Sequence, residues 1–203
     1  SDDVSVATEQ AVYHAIAQHL DPTWYTPDRR SDRNTVGVPI QLHPFEILTI
    51  GGDDVLLIVP ADKAIALTKT LCETFERILC QRHPHYRPTQ PYAADQVHRY
   101  RAPNAAESNQ EQCQLSMSAG VLITSDNTPV YYADRLVSQL LKSAKRKAKA
   151  LKSKGYLGGT IDFLTLKSVT MISSNIDEFR AQGLTRERDG QPTLKFYGAP
   201  YTL

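Results

Sequence analysis

Apolar residues recur with a helical period from Ala7 to Leu20, where Ala11, Val12, Ala15, Ile16 and Leu20 form one stripe. Thr8 stands near the expected start of that helix, where a hydroxyl can cap it, and Asp21-Pro22 stops it. From Thr23 to Asn34 the period is lost. The stretch is polar and arginine-rich, with Pro27 inside it, and predicts an exposed loop. Val36 to Leu42 predicts a short strand interrupted at Pro39. Two short apolar runs follow, Phe45 to Ile50 and Val55 to Val59, separated by Gly51-Gly52-Asp53-Asp54. This reads as strand, tight turn, strand.

A second helix opens at Ala61-Asp62, with Asp62 as its cap, and His83-Pro84 ends it. Its expected buried face holds Ile65, Leu67, Leu71, Cys72, Phe75, Ile78 and Leu79. From His83 to Gln112 no period appears, and Pro84, Pro88, Pro91 and Pro103 interrupt a polar sequence. A structureless stretch of that length inside a domain is functional or inserted, so 83–113 is expected to be a long loop insertion.

Gln114 to Thr124 alternates, with Leu115, Met117, Ala119, Val121 and Ile123 on one side. Tyr132 to Ser153 is the clearest helix, its core stripe built from Leu136, Val137, Leu140, Leu141, Ala144, Ala148 and Leu151. Lysines and Arg146 crowd the other faces, and Gly155 ends the helix. Thr160 to Leu166 predicts another strand, Asp177 to Gly190 a short helix and a turn, and Thr193 to Phe196 a last strand. The order is helix, hairpin, helix, strand, helix, strand, without internal repeats. It fits an α+β class in which helices pack on one face of a largely antiparallel sheet.

The length suits one domain with a real core, 1–203. A formal net charge of +1 means that any polyanion binding must be local. No stretch is apolar enough to span a membrane and no signal peptide is visible. Cys72, Cys80 and Cys113 do not form a disulfide framework, so reduced thiols in the cytoplasm are expected. The opening Ser1-Asp2-Asp3 has no initiator Met and reads as the start of an excised fragment.

The Gly51-Gly52-Asp53-Asp54 turn carries the candidate chemistry. Adjacent glycines permit positive φ and close approach of a ligand. Adjacent carboxylates supply hard oxygen donors for magnesium, which can hold a nucleoside triphosphate. The plain alternative is an acidic hairpin turn, since Gly and Asp are common turn residues. Cys80, His83, His85 and Cys113 have the ligand types of a zinc site but lack the Cys-x-x-Cys spacing. Cys72 and Cys80 also suit the apolar side of their helix. Trp24, Tyr25, Arg29, Arg30 and Arg33 are an exposed loop, with RNA or a partner subunit as the alternative reading.

Four segments in series resemble the nucleotidyl-cyclase and polymerase palm domains. That group includes the GGDEF diguanylate cyclases and the polymerase-like large subunit of type III CRISPR effector complexes, the closer of the two. The segment from Phe45 to Ile58 resembles the signature hairpin, ending in Asp-Asp where the cyclases have Asp/Glu-Glu-Phe. Leu115 to Val121 and Leu140 to Lys145 resemble the following strand and lysine-bearing helix. Ile161 to Leu164 and Pro200-Tyr201-Thr202-Leu203 resemble the closing strand and exit segment of the second palm domain.

The resemblance implies a ferredoxin-like palm that binds ATP with Mg2+ or Mn2+. It implies a nucleotidyltransferase making cyclic oligoadenylate messengers in antiviral defence. Other effector subunits, guide RNA and target RNA are the implied partners. Asp53 and Asp54 match the metal-binding pair, Gly51 and Gly52 the turn glycines, and Lys145 the lysine that reaches phosphate. Ser118, in Ser118-Ala119-Gly120, matches a segment lining the nucleotide site. Palm enzymes usually carry a further acidic metal ligand on a strand before the first helix, and here that strand is expected to be missing. No adjacent His-Asp pair marks a nuclease domain. Two other readings stay open: a non-catalytic palm used for subunit and RNA assembly, and a GGDEF-like synthase of cyclic dinucleotides.

Overall fold

Helix α1 spans Asp2–His19, five residues earlier than the apolar stripe alone suggests, because Asp2 and Asp3 occupy its first turn and complement the helix dipole. The computed structural model describes residues 2–26, 38–89, 112–167 and 175–203. They divide into two compact units, Ser1–Thr74 and Phe75–Leu203. Arg29, Arg30, Arg33 and the body of the long loop, 90–111, lie outside the described residues.

In the first unit, Ala7, Ala11, Val12, Ala15 and Ile16 are the buried face of α1, as the periodicity predicts. Thr8 is a correction. It is fully buried inside the helix, and its hydroxyl has no hydrogen-bond partner among the described residues, so it packs rather than caps. Strands β1 (Thr23–Tyr25) and β2 (Ile40–Leu42) pair antiparallel, Trp24 opposite Gln41. The expected loop from Thr23 is therefore a strand at its start, because the β-forming Trp-Tyr pair finds a partner far along the chain. Strands β3 (Glu46–Gly51) and β4 (Asp54–Ile58) form the predicted hairpin.

Helix α2 covers Ala64–Arg82, and the boundary between the units falls within it. It begins after the expected cap. Leu67 N–H donates to the Lys63 carbonyl at 2.9 Å, and the Asp62 carboxylate only lies 3.8 Å from the Lys63 ammonium on the surface. Leu67, Leu71 and Cys72 are buried as expected, whereas Ile65 is 37% exposed. The His19 ring Nε2 and the Thr70 hydroxyl lie 2.7 Å apart, tying the end of α1 to α2.

The second unit is organised by one crossover. Strand β5 (Ser118–Ile123) runs into α3 (Val130–Lys152), which returns the chain to β6 (Thr160–Thr165). β5 and β6 are parallel, Ser118 opposite Thr160 through Ile123 opposite Thr165. The α+β class stands, but this pair departs from an antiparallel sheet because a long helix, not a tight turn, connects its strands. Strand β9 (Tyr201–Thr202) adds antiparallel to β6. Leu136 and Leu140 of α3 pack with Leu166 and Ile176, and Leu122, Tyr132, Leu164 and Phe179 close around them. Burying each such side chain is worth about 1.5–3 kcal/mol.

Gly155, at φ 82°, stops α3 as its sequence predicts. Helix α4 (Ile176–Gly183) is capped by the Asn175 side chain, which accepts from Glu178 N–H. β7 (Thr185–Arg188) and β8 (Gln191–Lys195) form a hairpin that turns at Gly190. Where the long loop leaves and rejoins the fold, its ends are stapled. A single 3₁₀ turn, Pro84–Tyr86, brings the Tyr86 carbonyl within 2.7 Å of Gln114 N–H. No described helix is long and apolar enough to cross a membrane.

Candidate functional site

The ladder of the β3–β4 hairpin closes on Gly51 opposite Asp54, so its loop is the two residues Gly52-Asp53. A two-residue hairpin loop needs positive φ at its first position, and Gly52 supplies it at φ 61°. The register shifts between Ile47 and Thr49, leaving Leu48 unpaired and bending the strand that leads to the tip. All four residues of the tip are exposed. A Cβ added at Gly51 would meet nothing within 4 Å. Gly51 also lacks the positive φ that makes glycine necessary at Gly52.

The two glycines therefore separate by experiment. Gly52→Ala forces a side chain into the left-handed region and is expected to cost about 1 kcal/mol. Gly51→Ala is expected to leave the melting midpoint unchanged while weakening any ligand whose backbone approach needs the bare Cα. Thermal melts of both variants check this.

Asp53 and Asp54 offer adjacent hard oxygen donors to solvent. Among the described residues, no group of three or more His, Cys, Asp and Glu side chains is arranged to hold a metal ion. Magnesium is held by one or two carboxylates together with substrate phosphates and water rather than by an all-protein cage. The donor set fits such an ion as a partial shell.

Ser118 and Lys145 belong to the second unit, on the β5–α3 pair. The Ser118 hydroxyl lies 3.0 Å from the Thr160 hydroxyl, and Thr160 donates to the Ala144 carbonyl at 2.8 Å. Ser118 is thus wired to the turn of α3 that carries Lys145. Lys145 itself is exposed. Gly120 presses β5 against that helix: a Cβ there would lie 2.5 Å from Leu141 N and 2.7 Å from Val137 O. Its glycine is explained by packing.

The zinc alternative does not assemble. Cys80 and Cys113 are buried thiols, and the Cys80 Sγ lies 3.5 Å from the Gln112 carbonyl oxygen. Burial pushes the Cys113 thiol up to about 12, with Cys80 adding to the rise against a lowering hydrogen bond from the Leu115 backbone. His83 and His85 instead pair with each other at the exposed 3₁₀ turn, Nδ1 to Nδ1 2.5 Å.

One buried constellation was not anticipated. Asp162, in β6, is fully buried and receives both arms of the Arg180 guanidinium, at 2.7 and 2.6 Å. The guanidinium carbon also sits 5.0 Å from the Tyr197 ring centroid, while the Arg180 Nε has no hydrogen-bond partner among the described residues. Burial alone lowers the Arg180 pKa; the hydrogen bonds and charge of Asp162 outweigh it and raise the value above the ordinary arginine level. The signal in the sequence was a carboxylate inside the apolar run Thr160-Ile161-Asp162-Phe163-Leu164, which must find a cation.

A family model described as Cas10/Cmr2, second palm domain, matches residues 33–154, more than half of the chain. The match takes in the hairpin, Ser118 and Lys145. The resembling segments at 161–164 and 200–203 lie beyond it. No curated protein matches the chain.

Proposed function

We propose, from the premise that this chain belongs to the Cas10/Cmr2 family of second palm domains, that it is an ATP-binding, divalent-metal-dependent nucleotidyltransferase. In this reading it makes cyclic oligoadenylate messengers for antiviral defence as part of a type III CRISPR effector. Membership makes it a palm of that complex's large subunit. The observation that carries the reading further is the hairpin tip, where a two-residue loop presents Asp53 and Asp54 to solvent beside open space over Gly51.

Asp53 and Asp54 would hold Mg2+ or Mn2+. Such an ion, when bound, screens the triphosphate and eases deprotonation of a ribose 3′-hydroxyl. The reaction joins that 3′-oxygen to the α-phosphorus of a second ATP, breaks the α–β phosphoanhydride bond and releases pyrophosphate. Gly51 and Gly52 keep side chains away from the tip so that phosphate can approach. We assign Lys145 to offsetting negative charge on the pyrophosphate, the role the resemblance implies. Ser118, bonded to Thr160, positions the α3 turn that carries this lysine. Other effector subunits, guide RNA and target RNA are the partners in this reading.

Thermal melts of the 203-residue chain test the binding step. ATP with magnesium is expected to raise the midpoint, as any ligand selective for the folded state must. The Asp53→Ala/Asp54→Ala variant should show the parent's midpoint without ligand and no rise with it. An equal rise in parent and variant would remove the two carboxylates from the site.

A further inference from the structure

The charge of the chain is segregated to a degree that the hairpin chemistry does not explain. From 135 to 161 there are eight basic residues and no acidic one, which leaves the rest of a +1 chain at −7. Helix α3 orders most of this charge. Leu136, Leu140, Ser143, Ala144 and Leu151 are its buried side. Lys142, Lys145, Arg146, Lys149 and Lys152 are exposed, at spacings i, i+3, i+4, i+7 and i+10, and so share the opposite side. The stripe is about 15 Å long, with successive rungs about 4.5–6 Å apart along the axis. Arg146 is tied to Asp177 at 3.0 Å, and the lysines of the stripe hold no ion pair among the described residues.

Like charges at i, i+3 and i+4 destabilise an isolated helix. A row of them on one face is complementary to a repeating anion. The composition of the face indicates which. Between 142 and 155 its exposed positions are Lys, Arg, Ala, Ser and Gly only. A protein interface is centred on aromatic or aliphatic anchors, and this face offers none. Lysine also supplies point charges on flexible stems rather than the planar fork that pairs carboxylates bidentately. Both features suit the phosphodiester backbone of a nucleic acid, read by charge and not by sequence.

We propose that Lys142, Lys149 and Lys152, the exposed lysines of α3 that the hairpin chemistry leaves unused, bind the phosphodiester backbone of a single-stranded nucleic acid. The inference does not need the hairpin chemistry, since Lys142, Lys149 and Lys152 have no part in it.

Fluorescence anisotropy of a labelled oligouridylate against the 203-residue chain, over a range of salt, is the test. Affinity should fall steeply with salt. In Lys142→Gln/Lys149→Gln/Lys152→Gln the log–log slope should become shallower by about 2, because each phosphate contact on a single strand contributes roughly 0.7. Affinity near 0.1 M salt should drop about ten- to a hundredfold. The corresponding triple arginine variant, which keeps the charges, should bind as the parent does, and neither variant should melt below the parent's temperature. Asp53→Asn/Asp54→Asn should also bind RNA normally, so a failed metal-site reading and a failed RNA reading give different results. An unchanged slope and affinity in the glutamine variant would overturn the proposal. Tighter binding of labelled polyglutamate than of oligouridylate would overturn it in favour of an acidic polypeptide.

Discussion

Asp162→Ala is expected to lower the stability of the second unit by about 3–5 kcal/mol, the cost of leaving one member of a buried ion pair without the other. The Arg180 guanidinium is buried with side-chain exposure of 5%, against 0% for Asp162. Removing the carboxylate strands a charge that water cannot reach, and the Nε, without a partner among the described residues, offers no alternative. The pair also joins β6 to α4, and the Arg180 carbonyl anchors the next strand by accepting from the Thr185 hydroxyl at 2.8 Å. The double variant Asp162→Leu/Arg180→Met removes both charges and is expected to recover most of the loss. Denaturant melts of the three proteins check this. A single variant as stable as the parent would show that the pair bears no such burden.

Gly120→Ala has the second largest expected effect. The added Cβ would fall 2.5 and 2.7 Å from backbone atoms of Leu141 and Val137, which cannot rotate aside, and 3.0 Å from Leu140 Cβ. β5 and α3 must separate locally, at roughly 3 kcal/mol. For a chain of this size that corresponds to a fall in melting midpoint of about 6–12 °C. An unchanged midpoint would mean that the strand and helix are not packed as closely as described.

What the sequence revealed follows the range of the interactions involved. α3 was legible because its leucine stripe, its lysines and Gly155 are local signals that agree. The β3–β4 hairpin was legible for the same reason: two apolar runs and a turn that only Gly52 can make. Thr8 was misplaced as a cap because the stripe begins later than the helix, whose first turn is held by Asp2 and Asp3. Strand β1 was missed because Trp24 and Tyr25 gain their partners from Gln41 and Ile40, beyond a polar stretch that carries no period. The parallel β5–β6 pairing depends on how α3 returns the chain, which composition does not encode. Asp162 stands in an apolar run, but its partner lies 18 residues away on another element, so the pair went unforeseen.

The candidate site divides along the same line. Asp53, Asp54, Gly51 and Gly52 could be read from their own chemistry. Ser118 and Lys145 came from family resemblance alone; in the structure the Ser118 hydroxyl meets that of Thr160, which donates to the Ala144 carbonyl.

The central claim is that Asp53 and Asp54 support nucleotidyl transfer from ATP. It is tested most directly by product analysis of the effector complex whose large subunit carries this chain. The complex is incubated with labelled ATP or GTP, magnesium and cognate target RNA. The account predicts 3′–5′ linked oligoadenylate from the parent complex and none from Asp53→Ala/Asp54→Ala, with assembly unchanged. No product from either nucleotide in an assembled parent complex would contradict it and favour a palm kept for assembly, and a guanine cyclic dinucleotide would contradict the choice of ATP.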